Sequence, residues 1–157
     1  MSNFNVREMT LDDLEQILMI ENMSFSTPWT RESFIKEIRD NHLAKYLLIE
    51  YEGQIVGYGG MWFIIDEAHI TNIAIQKEFR KKRLGSFLVE AMIEYAESRG
   101  IKRMTLEVRD SNIPAQKLYS KFGFESCGIR PKYYQDNNED AMMAMMGFTG
   151  FSSTKKR

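Results

Sequence analysis

Apolar positions along the chain change period several times, and each change marks an element. Behind Thr10, with Asp13 three residues on, Leu11, Leu14, Ile17 and Leu18 recur at steps of three and four, which predicts a capped helix. A second helix is expected after Pro28-Trp29, with Thr30 as its cap and Phe34, Ile35 and Ile38 as its buried face. Strand-like runs follow: Ala44–Tyr51 and Gln54–Ile65 flank Glu52-Gly53, a hairpin signal, and Ala68–Ile75 comes next. The clearest helix is Leu84–Ser98, where Leu84, Phe87, Leu88, Ala91, Met92, Tyr95 and Ala96 share one side and Gly100 is the stop beyond. Lys102–Arg109 alternates, with Met104, Leu106 and Val108 on one face and Thr105, Glu107 and Arg109 on the other. A short helix is predicted from about Ile113 to Phe122, with Pro114 in its first turn and Gly123 at its end. Phe124–Arg130 and Ala141–Phe148 read as closing strands. This order predicts an α/β fold, a mixed sheet with helices packed on it.

Composition narrows the class. The chain has 157 residues, room for one ordinary domain. Hydrophobic residues make up 43%, enough for a core and too many for a disordered chain. The 21 basic and 22 acidic residues nearly cancel, so neither nucleic acid nor a membrane is expected as a direct partner. Charge is local instead: Arg80-Lys81-Lys82-Arg83 is a basic knot, and Asp136–Asp140 is an acidic stretch. Cys127 is the only cysteine, which excludes an intramolecular disulfide and suits a reducing compartment. Met1 to Asn5 has no basic-then-apolar export pattern, and the run Met61–Ile65 stops at Asp66, far short of a membrane span. The expectation is a cytoplasmic protein with one domain over residues 1–151 and a disordered basic tail over 152–157.

The chemistry starts where Thr71–Ile75 runs through Gln76–Arg83 into the best helix. A helix N-terminus presents unpaired N–H groups and partial positive charge, a natural seat for an anion. Arg80, Lys81, Lys82 and Arg83 enrich that seat, and Gly85 lets the backbone come close. Four basic residues at a helix start oppose its dipole by about 0.3–1 kcal/mol each, and such a local conflict favours a functional reason. A solvated basic turn is the alternative. Two phosphate motifs are excluded. There is no G-x-x-x-x-G-K-S/T, and Gly57-Tyr58-Gly59-Gly60 lacks the last glycine of the dinucleotide fingerprint because Trp62 stands there.

Glu107 and Tyr119 are the candidates for proton transfer. A glutamate on the polar face of a central strand can take a proton from an attacking amine, directly or through water, especially where burial lifts its pKa. A phenol on the next helix can return a proton to a leaving thiolate. The structural alternatives are a surface charge beside Arg109 for Glu107, and a core ring spaced from Ala115 and Phe122 for Tyr119.

Together these residues resemble the GCN5-related N-acetyltransferase (GNAT) family. The matching pattern is a strand, the loop Arg80-x-x-x-x-Gly85, a long helix, Leu106-Glu107-Val108-Arg109, Asn112, and Ala115-x-x-Leu118-Tyr119-x-x-x-Gly123-Phe124. Pro28-Trp29, Thr71-Asn72-Ile73-Ala74 and Arg130-x-x-Tyr133-Tyr134 resemble the RimI branch of that family, bacterial enzymes that acetylate the N-terminal alanine of a small-subunit ribosomal protein. The resemblance covers residues from about Val6 to Met146. It implies the GNAT fold, a mixed, mostly antiparallel sheet with helices on both faces. It also implies acetyl-CoA as co-substrate, no metal, and as acceptor a protein N-terminus, that of a ribosomal protein. By the same resemblance Ile73, Ala74 and Ile75 offer backbone groups to the acetyl carbonyl and pantetheine arm. Arg80, Lys81, Lys82, Arg83, Leu84, Gly85 and Ser86 wrap the pyrophosphate, and Asn112 binds near the pantetheine. Glu107 accepts a proton, Tyr119 donates one, and Trp29, Tyr133 and Tyr134 lie near the peptide entrance. One position departs from the family loop: Arg83 replaces its first glycine. Because arginine tolerates positive φ poorly, either the loop keeps negative φ there or Arg83 adds a phosphate contact.

Other features change the picture little. His42 and His69 are isolated and lack metal-ligand spacing. No Ser/His/Asp or Cys/His set points to a covalent acyl-enzyme. Met142–Met146 reads as a buried strand, and Cys127 as a strand residue. The acidic loop is a solvated turn or an attraction for a basic N-terminus. Two other functions compete, acetylation of a small amine such as a polyamine or antibiotic, and a non-catalytic CoA-binding interaction module. Glu107 with Tyr119 weighs against the second, and the three aromatics favour a protein N-terminus over a small amine.

Overall fold

Seven strands and four α-helices alternate in the computed structural model, which describes residues 3–80 and 83–148. β1 (Phe4–Glu8) precedes α1 (Leu14–Ser24) and α2 (Arg31–Asp40). β2 (Ala44–Tyr51), β3 (Gln54–Ile64) and β4 (Glu67–Ile75) lead to α3 (Leu84–Ser98). β5 (Arg103–Arg109), α4 (Ile113–Lys121), β6 (Glu125–Tyr134) and β7 (Glu139–Gly147) complete the described chain. The strand order is β1-β2-β3-β4-β5-β7-β6. β4 and β5 pair in parallel, whereas β1–β2, β2–β3, β5–β7 and β6–β7 pair antiparallel. The fold is therefore α/β with a mostly antiparallel sheet, as expected. β1 has no counterpart among the predicted elements. Phe4-Asn5-Val6-Arg7 alternates for only four residues, too short a run to stand out, and its ladder to β2 supplies the order. β6 runs past Arg130, so Tyr133 and Tyr134 stand on a strand.

The described residues pack as two compact units, 3–62 with 71–80 and 83–92, and 63–70 with 93–148. In the first, the Thr10 capping box forms as expected: its hydroxyl accepts from the Asp12 N–H at 3.3 Å, and the Asp13 carboxylate accepts from the Thr10 N–H at 2.8 Å. The turn it caps, Leu11–Asp13, is a 3-10 helix ahead of α1. Three residues per turn rotate Leu11 out of the predicted stripe, to 42% exposure, while Leu14, Ile17 and Ile20 are buried. Thr30 caps α2, and Phe34 is fully buried among the rings of Trp29, Tyr46 and Tyr58. Burying such a side chain is worth roughly 2–3 kcal/mol. Ile35 and Ile38 are only partly buried. The Glu52-Gly53 hairpin has φ values of +52° and +82°, the type I′ signature. The β3 glycines serve packing. A Cβ at Gly57 would sit 2.8 Å from the Ala74 carbonyl oxygen, and one at Gly60 would sit 2.5 Å from the Tyr46 ring.

In the second unit β5 alternates as predicted, with Met104, Leu106 and Val108 buried and Glu107 on the other face. β7 corrects the buried-strand reading of Met142–Met146 at one residue. Ala144 and Met146 are buried but Met145 is 41% exposed, because successive residues of a strand face opposite sides. Cys127 is exposed on β6, where the register slips between Ser126 and Gly128. The parallel register of β4 and β5 runs from Glu67↔Arg103 to Ile70↔Leu106. Beyond it β4 continues to Ile75 and β5 to Arg109.

Candidate active site

The first unit carries the basic loop. β4 ends at Ile75, and a one-turn helix, Lys77–Phe79, turns the chain toward α3. Arg80 Nε donates to the Ile75 carbonyl at 2.8 Å, so part of this guanidinium holds the turn closed. Among the described residues the first α3 bond runs from the Phe87 N–H to the Arg83 carbonyl at 3.1 Å, and the Leu84 and Gly85 N–H groups lie in the turn before it. Ser86 is half-buried in that first turn. Arg83 has φ +65°, which answers the question its identity posed: the loop keeps the glycine-like left-handed conformation. For a residue with a side chain that conformation costs roughly 1–2 kcal/mol. Lys81 and Lys82 lie outside the described residues. Ile73 is half-buried and Ala74 and Ile75 are buried, all three past the last β4–β5 register pair.

Trp29 is also in this unit, 40% exposed and held from two sides. Its N–H donates to Glu21 Oε2 at 2.8 Å, and its ring meets Phe34 edge-on at 5.2 Å. Glu21 and Glu37 are buried carboxylates that the periodic pattern does not single out. Glu21 accepts from the Tyr58 hydroxyl, whose own pKa is driven far up by burial and by the Glu21 charge. Glu37 accepts from Trp62 Nε1 at 2.6 Å, Tyr46 OH at 3.2 Å and Asn41 Nδ2 at 3.1 Å.

The second unit holds Glu107. Its side chain is 10% exposed, and each oxygen has a partner. Oε1 lies 3.0 Å from His69 Nε2, and Oε2 accepts from Arg130 Nε at 3.0 Å. His69 Nδ1 lies 2.8 Å from Thr105 Oγ1. Parallel pairing explains this set: His69 sits opposite Thr105, and Thr105 and Glu107 share one face of β5. An ionised carboxylate only accepts, so a neutral His69 carries its hydrogen on Nε2 and takes the Thr105 hydroxyl hydrogen at Nδ1. The isolation of His69 along the chain hid this role, since its partners lie 36 and 38 residues away.

Tyr119 is buried with its ring edge-on to Phe124 at 5.7 Å. Burial drives its hydroxyl pKa well up, with a smaller push from Tyr134, so the phenol keeps its proton. Tyr133 and Tyr134 cross nearly at right angles, 5.0 Å apart. Burial, then Tyr133, lifts Tyr134 to about 12. Tyr133 is raised by burial and the Glu107 charge, with Arg130 opposing, which puts it in the electrostatic reach of Glu107. Asn112 caps α4, its Oδ1 accepting from the Ala115 N–H at 3.2 Å. The acidic loop is largely neutralised within the chain: Arg109 pairs with Asp136 at 2.9 Å and Glu139 at 3.3 Å, and the Lys132 N–H donates to Asp140 at 2.9 Å. Among the described residues, no group of three or more His, Cys, Asp or Glu side chains is placed to hold a metal. Nor is any described helix long and apolar enough to cross a membrane.

The model of the acetyltransferase (GNAT) family matches residues 12–124. The chain belongs to that family. A Bacillus subtilis (strain 168) protein, provisionally named ribosomal protein bS18-alanine N-acetyltransferase, is 47% identical over 138 residues, 88% of this chain and 91% of that protein. The enzyme of that name from Escherichia coli (strain K12) is 32% identical over 133 residues, 83% of this chain and 88% of that one. The crystal structure of the Escherichia coli ribosomal-protein-S18-alanine N-acetyltransferase superposes with a TM-score of 0.85 at 28% identity, covering 93% of this chain and 94% of that chain.

Proposed function

We propose that this acetyltransferase moves the acetyl group of acetyl-CoA to the N-terminal α-amine of a protein, the N-terminal alanine of a small-subunit ribosomal protein. The observation that carries this reading is the near-full-length likeness to the Bacillus subtilis and Escherichia coli proteins named for that reaction. The family match spans residues of both units, so residues 1–151 are read as one catalytic domain. The absence of a membrane-crossing helix among the described residues accords with a cytoplasmic setting.

The residues present fit an extended anionic co-substrate. Leu84 and Gly85 offer N–H groups at the start of α3, with Arg80 and Arg83 beside them. Lys81 and Lys82 add charge by sequence. The backbones of Ile73, Ala74 and Ile75, beyond the β4–β5 ladder, suit the pantetheine arm and acetyl carbonyl. The family resemblance gives Asn112 a contact to the pantetheine, and its amide nitrogen is the atom for it, since its oxygen caps α4. Acetyl-CoA, when bound, supplies the activated thioester. Glu107 takes the proton from the acceptor amine at a carboxylate oxygen, and His69 and Arg130 hold that carboxylate in one orientation. The Tyr119 hydroxyl, kept protonated by burial, donates the proton the leaving thiolate requires. Trp29, Tyr133 and Tyr134 recognise the peptide.

The test is a panel assay: the protein is incubated with acetyl-CoA and either peptides beginning with Ala followed by basic residues, or spermidine or an aminoglycoside. Product is read by mass. Preference for the peptide in kcat/KM is expected, and a large preference for a small amine would replace this reading. Acetyl-CoA alone should raise the melting temperature by mass action. Replacing Arg80 and Lys82 by Ala should weaken that rise more than replacing Lys155 and Lys156.

A further inference from the structure

Glu21 is fully paired inside the first unit, and its partners form a one-way chain. Thr71 Oγ1 donates to Asn72 Oδ1 at 3.0 Å, which orients the Asn72 amide. Asn72 Nδ2 then donates to the Tyr58 hydroxyl at 3.4 Å, and Tyr58 donates to Glu21 Oε1. Oε2, the other oxygen, accepts the Trp29 backbone N–H at 2.8 Å. One carboxylate on α1 thus ties β3 and the start of the β4 tail to the segment between α1 and α2.

A stabilising role alone does not call for a carboxylate here. Burying the charge removes it from water, and well-packed apolar residues commonly do as well or better. What an apolar side chain cannot do is fix the direction of a backbone N–H. Pro28 just before has its own φ locked by the ring. The indole then leans on Phe34, which is fully buried, while 40% of Trp29 stays exposed. An exposed ring with both its backbone and its face immobilised is pre-organised for contact, and pre-organisation lowers the ordering cost of binding.

We propose that Glu21 is a positioning residue for acceptor recognition, holding Trp29 as a rigid wall for the incoming peptide through the Asn72–Tyr58–Glu21 chain. This rests on the reading of Trp29 as a peptide contact in the proposed reaction. Glu21 touches neither co-substrate nor acceptor and acts only through Trp29.

Two variants test it, Glu21→Gln and Tyr58→Phe, the second removing a single hydroxyl should the first fold poorly. The substrate is a peptide beginning with Ala and followed by basic residues. Each variant should raise the peptide KM by about tenfold, the scale of one good buried hydrogen bond, and leave kcat and the acetyl-CoA KM within about twofold. In a Trp29→Ala background neither should add a further rise, because the partner they act through is gone. A second readout is independent of turnover. With Trp62→Phe, Trp29 is the sole indole. Acrylamide should then quench its fluorescence more readily in Glu21→Gln and in Tyr58→Phe. Quenching that is unchanged in both variants overturns the anchor. Changed quenching with an unchanged peptide KM, equal rises in both KM values, or additivity with Trp29→Ala overturns the role in recognition and leaves the acetyltransferase reading standing. A wild-type protein that turns over small amines and no peptide removes that reading, and this inference with it, whatever the quenching shows.

Discussion

Glu21 and Glu37 of the first unit are held in a different way from Glu107 of the second. Glu21 and Glu37 in the first are buried and bound by neutral donors: two phenols, an indole, an amide and a backbone N–H. Glu107 in the second is bound by a guanidinium and an imidazole, and 10% of its side chain remains open. Neutral donors in a dry interior fix geometry and offer no route for a proton, since burial pushes Tyr46 and Tyr58 far above their ordinary range. A carboxylate oriented by a guanidinium and an imidazole has a partner that can itself exchange a proton. Partners therefore distinguish Glu107 from Glu21 and Glu37, though not from Asp13, which Arg7 holds at the same 10% side-chain exposure.

The largest effect expected is at Glu107. Glu107→Gln keeps size and much of the hydrogen bonding but removes the base, so kcat should fall by about 10²–10⁴-fold with acetyl-CoA binding and the thermal melt nearly intact. Tyr119→Phe keeps the ring on Phe124, so it too should lose rate, toward the lower end of that range, with little loss of stability. Saturating kinetics with melts as control decide both. Wild-type rates in the two variants would collapse the distinction and return both residues to structural roles.

Glu37→Ala probes the other side of the comparison. It leaves the Tyr46 hydroxyl and Trp62 N–H without their acceptor, which should cost about 2–4 kcal/mol in urea unfolding. The folded fraction should keep its kcat. A fall in kcat that exceeds the unfolded fraction would mean that the buried anchors take part in the chemistry.

The smallest effect sharpens the claim about cationic partners. Asp13 is a carboxylate held by a guanidinium with no proposed chemistry: Arg7 donates to its two oxygens at 3.0 and 2.9 Å. The Arg7 hydrogen bond, against the opposing effect of burial, holds the Asp13 pKa below the ordinary carboxylate value. A depressed folded-state pKa contributes stability above the unfolded value, near 4, and loses it as pH falls through the folded one. Asp13→Asn should therefore lower stability by about 1–2 kcal/mol at neutral pH, partly through the lost cap, with rate unchanged. The gap to wild type should narrow below about pH 4. A gap that widens in acid would reverse the sign assigned to this pair.

Legibility along the chain followed the range of the interactions. α3 was readable to its ends because fifteen residues of helical period report one buried side. The caps at Thr10 and Thr30 and the Glu52-Gly53 hairpin were readable because their bonds are local. β1 was not, since its order comes from pairing with β2 across 39 to 47 residues, from Glu8↔Leu47 to Phe4↔Tyr51. The left-handed backbone at Arg83 was posed by the sequence as a question, because side-chain identity sets the cost of a conformation and the surrounding loop sets whether it is adopted.

Residue periods and local motifs determined the α/β class, the helix that opens at the basic loop, and Glu107 and Tyr119 as candidates. Only the tertiary structure decided which side chains meet them. Parallel register placed His69 beside Thr105 and two residues short of Glu107, and packing on Phe34 brought Trp29 and Tyr58 to Glu21. Period records whether a position faces core or solvent and carries no information on which distant residue lies opposite. That choice belongs to strand pairing and packing, where one step of register would move every side chain of a strand to the other face.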